Sequence, residues 1–351
     1  MRRSRLALLL ALLAVLPLGS AAPPGPAASA ERPAWREAVL PRSGTTVTVA
    51  DVVACSGGWY VTGRDGEGPA AWYSADGRTF TAVPLAPVTV YGPRHLLYSA
   101  ACTGDRLAVL GAAPGGAHGK PRTSTWYLKG GTLAEKEAPV ELFGGPREAG
   151  IFRITAGPGG FLVAGNHPGA TAWLSADGVD FRLAPAEENR MAIDGAVLPD
   201  GWVLAGDEVW RSADGTKWTV EKAPVAVQRL AWGDGQLLAA GVIGRTFELW
   251  AASRGGAWRR LAAFGQVGGE TPARVLALST VPGGDVYLTT GSGTQLRLWR
   301  WRAGVITELV LPDPVNLRHE PGALLPLAAG PGQLAVASRD GRISFLSLAS
   351  R

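Results

Sequence analysis

A seven-residue pattern recurs along this chain, and the recurrence limits its fold more than any other feature of the sequence. It reads Ala71-Trp72-Tyr73-Ser74-Ala75-Asp76-Gly77, then Ala172-Trp173-Leu174-Ser175-Ala176-Asp177-Gly178, then Val209-Trp210-Arg211-Ser212-Ala213-Asp214-Gly215. Weaker copies centre on Trp126, Trp250, Trp299 and Phe345, so the marker aromatics stand 54, 47, 37, 40, 49 and 46 residues apart. A unit of this length repeated seven times is a supersecondary element that cannot bury its own hydrophobic face and must pack on its neighbours.

Each unit reads as four short strands. Upstream of each marker a turn, usually Gly-rich, opens a short apolar strand, as in Gly58-Trp59-Tyr60-Val61-Thr62-Gly63, and a small-residue strand such as Val49 to Ala54 or Ile151 to Ala156 precedes that turn. Downstream, a last strand starts with Phe80, Leu133, Phe181, Trp218, Trp258 or Ile306. With 48 Gly and 26 Pro in 351 residues, punctuation is too dense for ten-residue amphipathic helices. The predicted fold class is therefore all-β, a seven-bladed β-propeller. The first strand of each unit is expected to carry small side chains, because those strands crowd around the central channel. The seventh unit lacks an outer strand, whereas Ala34 to Pro41 resembles the outer strand at Lys217 to Pro224 with no blade in front of it. The sequence thus predicts that Trp35 to Leu40 pairs antiparallel with Arg342 to Leu348, closing the ring and removing its free edges.

The first thirty residues read as a secretory signal peptide, leaving residues 31–351 for the propeller. Arg2, Arg3 and Arg5 form a basic start, Leu6 to Leu18 an apolar run, and Ala28-Ser29-Ala30 a small-residue cleavage pattern. The run is shorter than the roughly 20 residues that a membrane-spanning helix needs, so the mature chain is expected to be secreted, with no membrane anchor. Three arginines belong to the leader, so the formal charge of +5 falls to +2 without them. A balance that close to neutral argues against a nucleic-acid partner. The two cysteines, Cys55 and Cys102, end the first strands of adjacent units. In an exported chain that placement suggests one disulfide. A buried thiol pair is the alternative, and metal binding has no His at ligand spacing to support it.

The Ser-Ala-Asp-Gly hairpins, followed by Phe80, Phe181 and Trp218, resemble the Asp-box repeats of sialidase-like and related secreted propellers, with one residue fewer between Asp and Gly. The resemblance covers a local hairpin in most blades and implies architecture rather than activity. Asp76, Asp177 and Asp214 are expected to accept turn amides, and Gly77, Gly178 and Gly215 to supply positive φ. One carboxylate per site is too few for calcium, which takes six to eight oxygens, so no metal and no cofactor are expected. Ile151-Phe152-Arg153-Ile154-Thr155 is similar to the segment that carries one of the three substrate-binding arginines of sialidases, although it lies in the third unit and ends in Thr rather than Pro. Sialidase chemistry would also need a Tyr with a Glu beside it. Tyr91 and Tyr98 lie near the right face, but no Glu pairs with either by sequence.

The loops between units and those joining second to third strands share one face, and all four histidines, His95, His118, His167 and His319, fall there. Arg94, Arg147, Arg190 and Arg274 fall there too, 16 to 18 residues before the glycines at 111, 165, 206 and 291. Arg42, Arg229 and Arg318 occupy the remaining inter-unit loops at less regular offsets. Rotational symmetry would turn the four matched offsets into a partial ring of guanidinium groups, suited to a carboxylate, sulfate or phosphate. The expected function is a monomeric, secreted, non-catalytic platform for a protein or cell-envelope glycan partner, with an anionic group as the expected contact of the arginines. The alternative is a sialidase-like glycoside hydrolase.

Overall fold

The computed structural model describes residues 30–348, except 44–45, 117–118, 146, 148–149, 268–271, 314 and 316–323. Residues 1–29, to which the signal-peptide expectation applies, His118, Arg318 and His319 lie outside the described residues. Seven antiparallel sheets follow one another along the chain, each a blade whose strands run from the channel outwards. The inner strands are Val47–Cys55, Leu96–Thr103, Gly150–Gly157, Ala192–Leu198, Ala226–Gly233, Arg274–Thr280 and Leu327–Gly330. Each packs on the next and the last packs on the first, so the ring is closed. The chain is a seven-bladed β-propeller.

The seam closes with the chain's own N-terminal strand. Trp35–Val39 pairs antiparallel with Arg342–Ser347 in the register Trp35↔Leu346 to Val39↔Arg342 and completes the seventh blade. The strand also reaches both neighbouring blades. Arg36 lies over the Phe345 ring and donates from Nη1 to the Gly77 carbonyl of blade one at 2.8 Å. The Trp35 indole donates to the Val310 carbonyl beyond blade six, and Glu31 both pairs with Arg300 and exchanges backbone hydrogen bonds with Glu308 and Val310. A second departure from strict blade order lies at Leu85–Ala86, which adds in parallel to the outer strand Thr132–Lys136 of the second blade.

No single hydrophobic centre exists. The described core residues fall into seven clusters, one between each adjacent pair of blades. Successive side chains of a strand point to opposite faces of its blade, and the near-continuous burial of strands such as Gly160–Asn166 and Ala170–Ser175 shows that a blade buries both faces, one against each neighbour. The marker aromatics Trp72, Trp126, Trp173 and Trp210 are fully buried. The first three spend their indole N–H on the loop that enters their own blade: on Pro41, His95 and Leu142, each 31 residues earlier.

The Ser-Ala-Asp-Gly hairpins are built alike. In each, the serine hydroxyl accepts the glycine amide, at 2.9 Å for Gly77, 2.9 Å for Gly178 and 2.8 Å for Gly215. The Asp carboxylate accepts the amides that follow, from Arg78 in the first and from Thr216 and Lys217 in the third. Gly77 has φ +71°, and a Cβ there would lie 2.7 Å from the Phe345 ring of the neighbouring blade. The same Ser-x-Asp bond recurs at Ser338 and Asp340, in the turn between the second and third strands of blade seven. Cys55 and Cys102 are joined in a disulfide across 47 residues, tying blade one to blade two.

Candidate functional site: the upper channel mouth

Six of the seven inner strands carry a β-bulge near the end where the chain enters from the previous blade. The register skips between Val49 and Asp51, Leu97 and Ser99, Ile151 and Arg153, Ala192 and Asp194, Val227 and Arg229, and Val275 and Ala277. A bulge inserts one residue without a ladder partner and re-aims its side chain. Five of the six inserted residues, Ala50, Tyr98, Phe152, Ile193 and Leu276, line one cavity of about 510 Å³ at the upper mouth of the channel.

In five of the six, the residue after the bulge does the opposite task and binds the next blade. Asp51 accepts the Ala100 amide at 2.9 Å, Ser99 the Ile154 amide at 3.2 Å and Asp194 the Leu230 amide at 2.9 Å. Arg153 donates to Asp194 at 2.7 Å, and Arg229 donates from Nε to the Leu276 carbonyl at 2.8 Å. In blade five the inserted residue, Gln228, also acts as a latch, accepting the Val275 amide at 2.6 Å. The expectation of small first-strand side chains therefore holds only for the lower half of the channel, where Ala54, Ala156, Gly157, Ala196 and Ala329 line a second cavity of about 370 Å³. The upper half holds aromatic and charged groups because the bulges make room for them. The two cavities share Asp51, Arg153 and Leu327, which form a waist.

Three guanidinium groups, Arg153, Arg229 and Arg274, line the upper mouth. Arg153 exposes 30% of its side chain to the channel. Burial pulls its pKa down, but Asp194 and Asp51 outweigh that and hold it above the ordinary arginine value. Burial, with Arg153 and Arg274 nearby, pushes Arg229 down to about 10 despite the neighbouring Asp194, so it stays charged at neutral pH. Arg274 is exposed, and its guanidinium has no hydrogen-bond or ion-pair partner among the described residues. Asp51 is the carboxylate of the mouth itself. Burial raises its pKa although the Ala100 and Val52 amides and both nearby arginines oppose the shift.

Of the four arginines singled out by matched offsets, Arg274 lines this cavity and Arg94, Arg147 and Arg190 do not. Arg94 stands over the Tyr91 ring, which Arg122 also approaches. Arg147 pairs with Glu188 at 3.5 Å and Arg190 with Glu208 at 3.8 Å, both at the surface, where such pairs are worth little. Equal sequence offset does not give equal radius, because the entering loops take different paths before reaching their strands. Arg153 and Arg229 sit within inner strands, and the signal that marks them is a charged residue inside an otherwise apolar strand. His95 is buried behind the second blade, and His167 bonds the Gly144 carbonyl. Tyr98 lines the mouth, with its hydroxyl donating to Ile151. Among the described residues, no group of three His, Cys, Asp or Glu side chains could hold a metal ion, and no helix is long and apolar enough to cross a membrane.

No protein-family model matches the chain, and no curated protein matches it. Solved structures do match. One described as YCF48 bound to D1 peptide has a TM-score of 0.59 at 16% identity, covering 92% of this chain and 98% of that one. Virginiamycin B lyase from Staphylococcus aureus has a TM-score of 0.62 at 14% identity, covering 90% and 99%. A chain of a mitotic checkpoint complex has a TM-score of 0.51 at 15% identity, covering 96% and 100%. At these identities the likeness establishes the propeller fold and leaves the chemistry to the residues of this chain.

Proposed function

We propose that the chain is an exported, monomeric, non-catalytic binding platform that holds a protein or cell-envelope glycan partner at its upper channel mouth. The observation that carries the reading is the convergence of Arg153, Arg229 and Arg274 in one cavity within the range typical of ligand pockets. Among the four loop arginines, the reading keeps Arg274 as a direct contact and leaves Arg94, Arg147 and Arg190 to outer contacts with a large partner. Two structural relatives described with a peptide or within a protein complex support a protein partner. The Cys55–Cys102 disulfide supports export, since such bonds persist in oxidising compartments. Binding is favoured over glycoside hydrolysis by the state of the mouth's polar groups. Asp51 spends both oxygens on backbone amides and Tyr98 spends its hydroxyl on a carbonyl, which argues against their serving as the acid and the tyrosine nucleophile of a sialidase-like hydrolase.

The test is an array of anionic glycans and acidic peptides probed with the wild type and with Arg274→Ala. Wild-type binding should fall as salt rises, and Arg274→Ala should weaken it about tenfold, the loss of one charge-assisted contact. Its melting temperature should be unchanged, because the Arg274 guanidinium is bonded to nothing that the fold needs and the substitution leaves its backbone pairing with Gly291 in place. Array binding that survives the substitution at full strength overturns the proposal.

A further inference from the structure

The upper mouth is a well, not a groove. Seven inner strands surround it in a closed ring, and at its inner end it meets the lower cavity at Asp51, Arg153 and Leu327, which line both. A polymer can lie along a groove, but a well takes an end.

The walls and the floor of this well differ in chemistry. Phe152, Ile193 and Leu324 line it while remaining 39%, 36% and 41% exposed, which is unusual for side chains of that size, and Tyr98 and Leu276 complete an apolar collar. Charge is confined to Arg153 and Asp51 at the waist, with Arg229 and Arg274 beside the collar. Three cations face two carboxylates, Asp51 and Asp194, which leaves one positive charge without an internal counterpart. The bonding leaves donors over as well. Arg153 uses Nη1 on Asp194, and Arg229 uses Nε and Nη1 on the carbonyls of Leu276 and Gln228, so Nη2 of each has no acceptor assigned to it. A ligand that fills the well must therefore bring one negative charge on a planar, multi-acceptor group, and an apolar body behind it. A phosphate dianion would exceed the charge available. The hydroxyls of a sugar acid would meet the collar without partners, at the cost of their desolvation.

Resting on the reading of this mouth as the binding site, we propose that its ligand is a monocarboxylate at the end of an apolar body, inserted with the carboxylate among Arg153, Arg229 and Arg274. A polypeptide that ends in apolar residues supplies that chemistry, and so does a free organic acid such as an arylalkanoate. Guanidinium forks match a carboxylate plane in two parallel hydrogen bonds, and the collar removes the adjoining apolar surface from water.

The experiment compares each acid with its own amide, which keeps the shape and removes the charge. N-acetylated pentapeptides ending in Leu-Phe are titrated as the free acid and as the C-terminal amide, alongside 4-phenylbutanoate and 4-phenylbutanamide. At least one acid should bind the wild type about tenfold or more tightly than its amide. Arg274→Gln should remove most of that preference, whereas Phe152→Ser should weaken acid and amide alike. A preference confined to the peptide pair assigns the ligand to polypeptide ends, and one confined to the phenylbutanoate pair assigns it to free acids. Equal binding of acid and amide, or no binding of either at about millimolar concentration, overturns the inference. If acidic glycans or internal acidic peptides still bind in an Arg274-dependent way, the platform reading stands without it. If no ligand of any kind depends on Arg274, both fall.

Discussion

His95 shows how much one buried residue commits this protein to neutral pH. Its ring is 1% exposed, its Nδ1 accepts the Trp126 indole N–H at 3.1 Å, and its Nε2 is buried with no partner. An Nδ1 that accepts leaves the proton on Nε2 in the neutral tautomer. Glu135 lies 4.0 Å away but is already saturated by the Val88 and Thr89 amides and by the Thr89 and Ser124 hydroxyls. Those bonds hold the Glu135 pKa below the usual value against the opposing effect of burial. Burial, helped by Arg64 and Arg94 and opposed by Glu135, pushes the His95 pKa down to about 4. Between about pH 6.5 and pH 4 the unfolded chain therefore binds a proton at this site that the folded chain refuses. Stability from His95 is complete above pH 6.5 and declines as the pH falls towards 4, by roughly 3 kcal/mol in total. Below that, protonation of Glu135 adds a further loss of the same sign. Urea unfolding at a series of pH values should show a shallower decline between pH 7 and 4.5 in His95→Gln than in the wild type, whatever the absolute stabilities. Parallel slopes would mean that the ring gains a proton in the folded state without penalty.

At the scale of the strand, the inner-strand bulge separates two tasks that a regular ladder would give to one residue. In five of the six bulges the inserted side chain faces the mouth, and in five the residue after it binds the next blade. Ser99 is a clean place to measure the second task, because its hydroxyl accepts one buried amide, that of Ile154. Ser99→Ala should cost about 1–3 kcal/mol, the penalty of a buried N–H without an acceptor. Asp194→Ala should cost more, about 3–5 kcal/mol, because it strands the Leu230 amide and leaves Arg153 without its counterion. Chemical denaturation would give both values, and a loss under about half a kcal/mol in Ser99→Ala would show that the Ile154 amide finds water instead. The hairpins were legible in the sequence because Ser, Asp and Gly act within four consecutive residues. The latches were not, because each joins residues 36 to 55 positions apart, from Asp194–Leu230 to Ser99–Ile154, with a bulge shifting the register between them. Arg153 and Arg229 were visible as arginines. Their placement in one mouth depends on where six bulges fall, and periodicity does not report that. Arg94, Arg147 and Arg190 failed to join them for the converse reason: counting back to a glycine measures chain length, and radius in the ring depends on the path of the loop.

The whole molecule has no centre, so its integrity rests on the ring being closed, and the closure runs through eleven residues at the start of the described chain. Residues 31–41 supply the outer strand of blade seven, hold blade six through Glu31 and Trp35, and hold blade one through Arg36 on Gly77. The Pro41 carbonyl also accepts the Trp72 indole. Each of the other pairs of neighbouring blades is joined where one blade's outer strand runs on into the next blade's inner strand. Blades seven and one are joined instead by the chain that runs from Trp35–Val39 into Val47–Cys55, by hydrogen bonds such as Arg36 to Gly77 and Val49 to Arg339, and by the cluster that includes Ala38 and Leu40. Deleting 31–41 should therefore lower stability by several kcal/mol, more than the loss of one edge strand implies, and the damage should be greatest at the seam. Hydrogen exchange read by mass spectrometry would locate it. Peptides covering Arg342–Ser347, now a free edge, and the flanking inner strands Val47–Cys55 and Leu327–Gly330 should exchange faster in the deletion variant. Peptides covering Ala192–Leu198, in the fourth blade opposite the seam, should keep their protection, because stability in a repeat architecture decays with distance from the defect. Uniform acceleration around the ring would mean that the propeller unfolds as one unit with no weak point, and unchanged exchange at Arg342–Ser347 would mean that residues 31–41 are not what closes it.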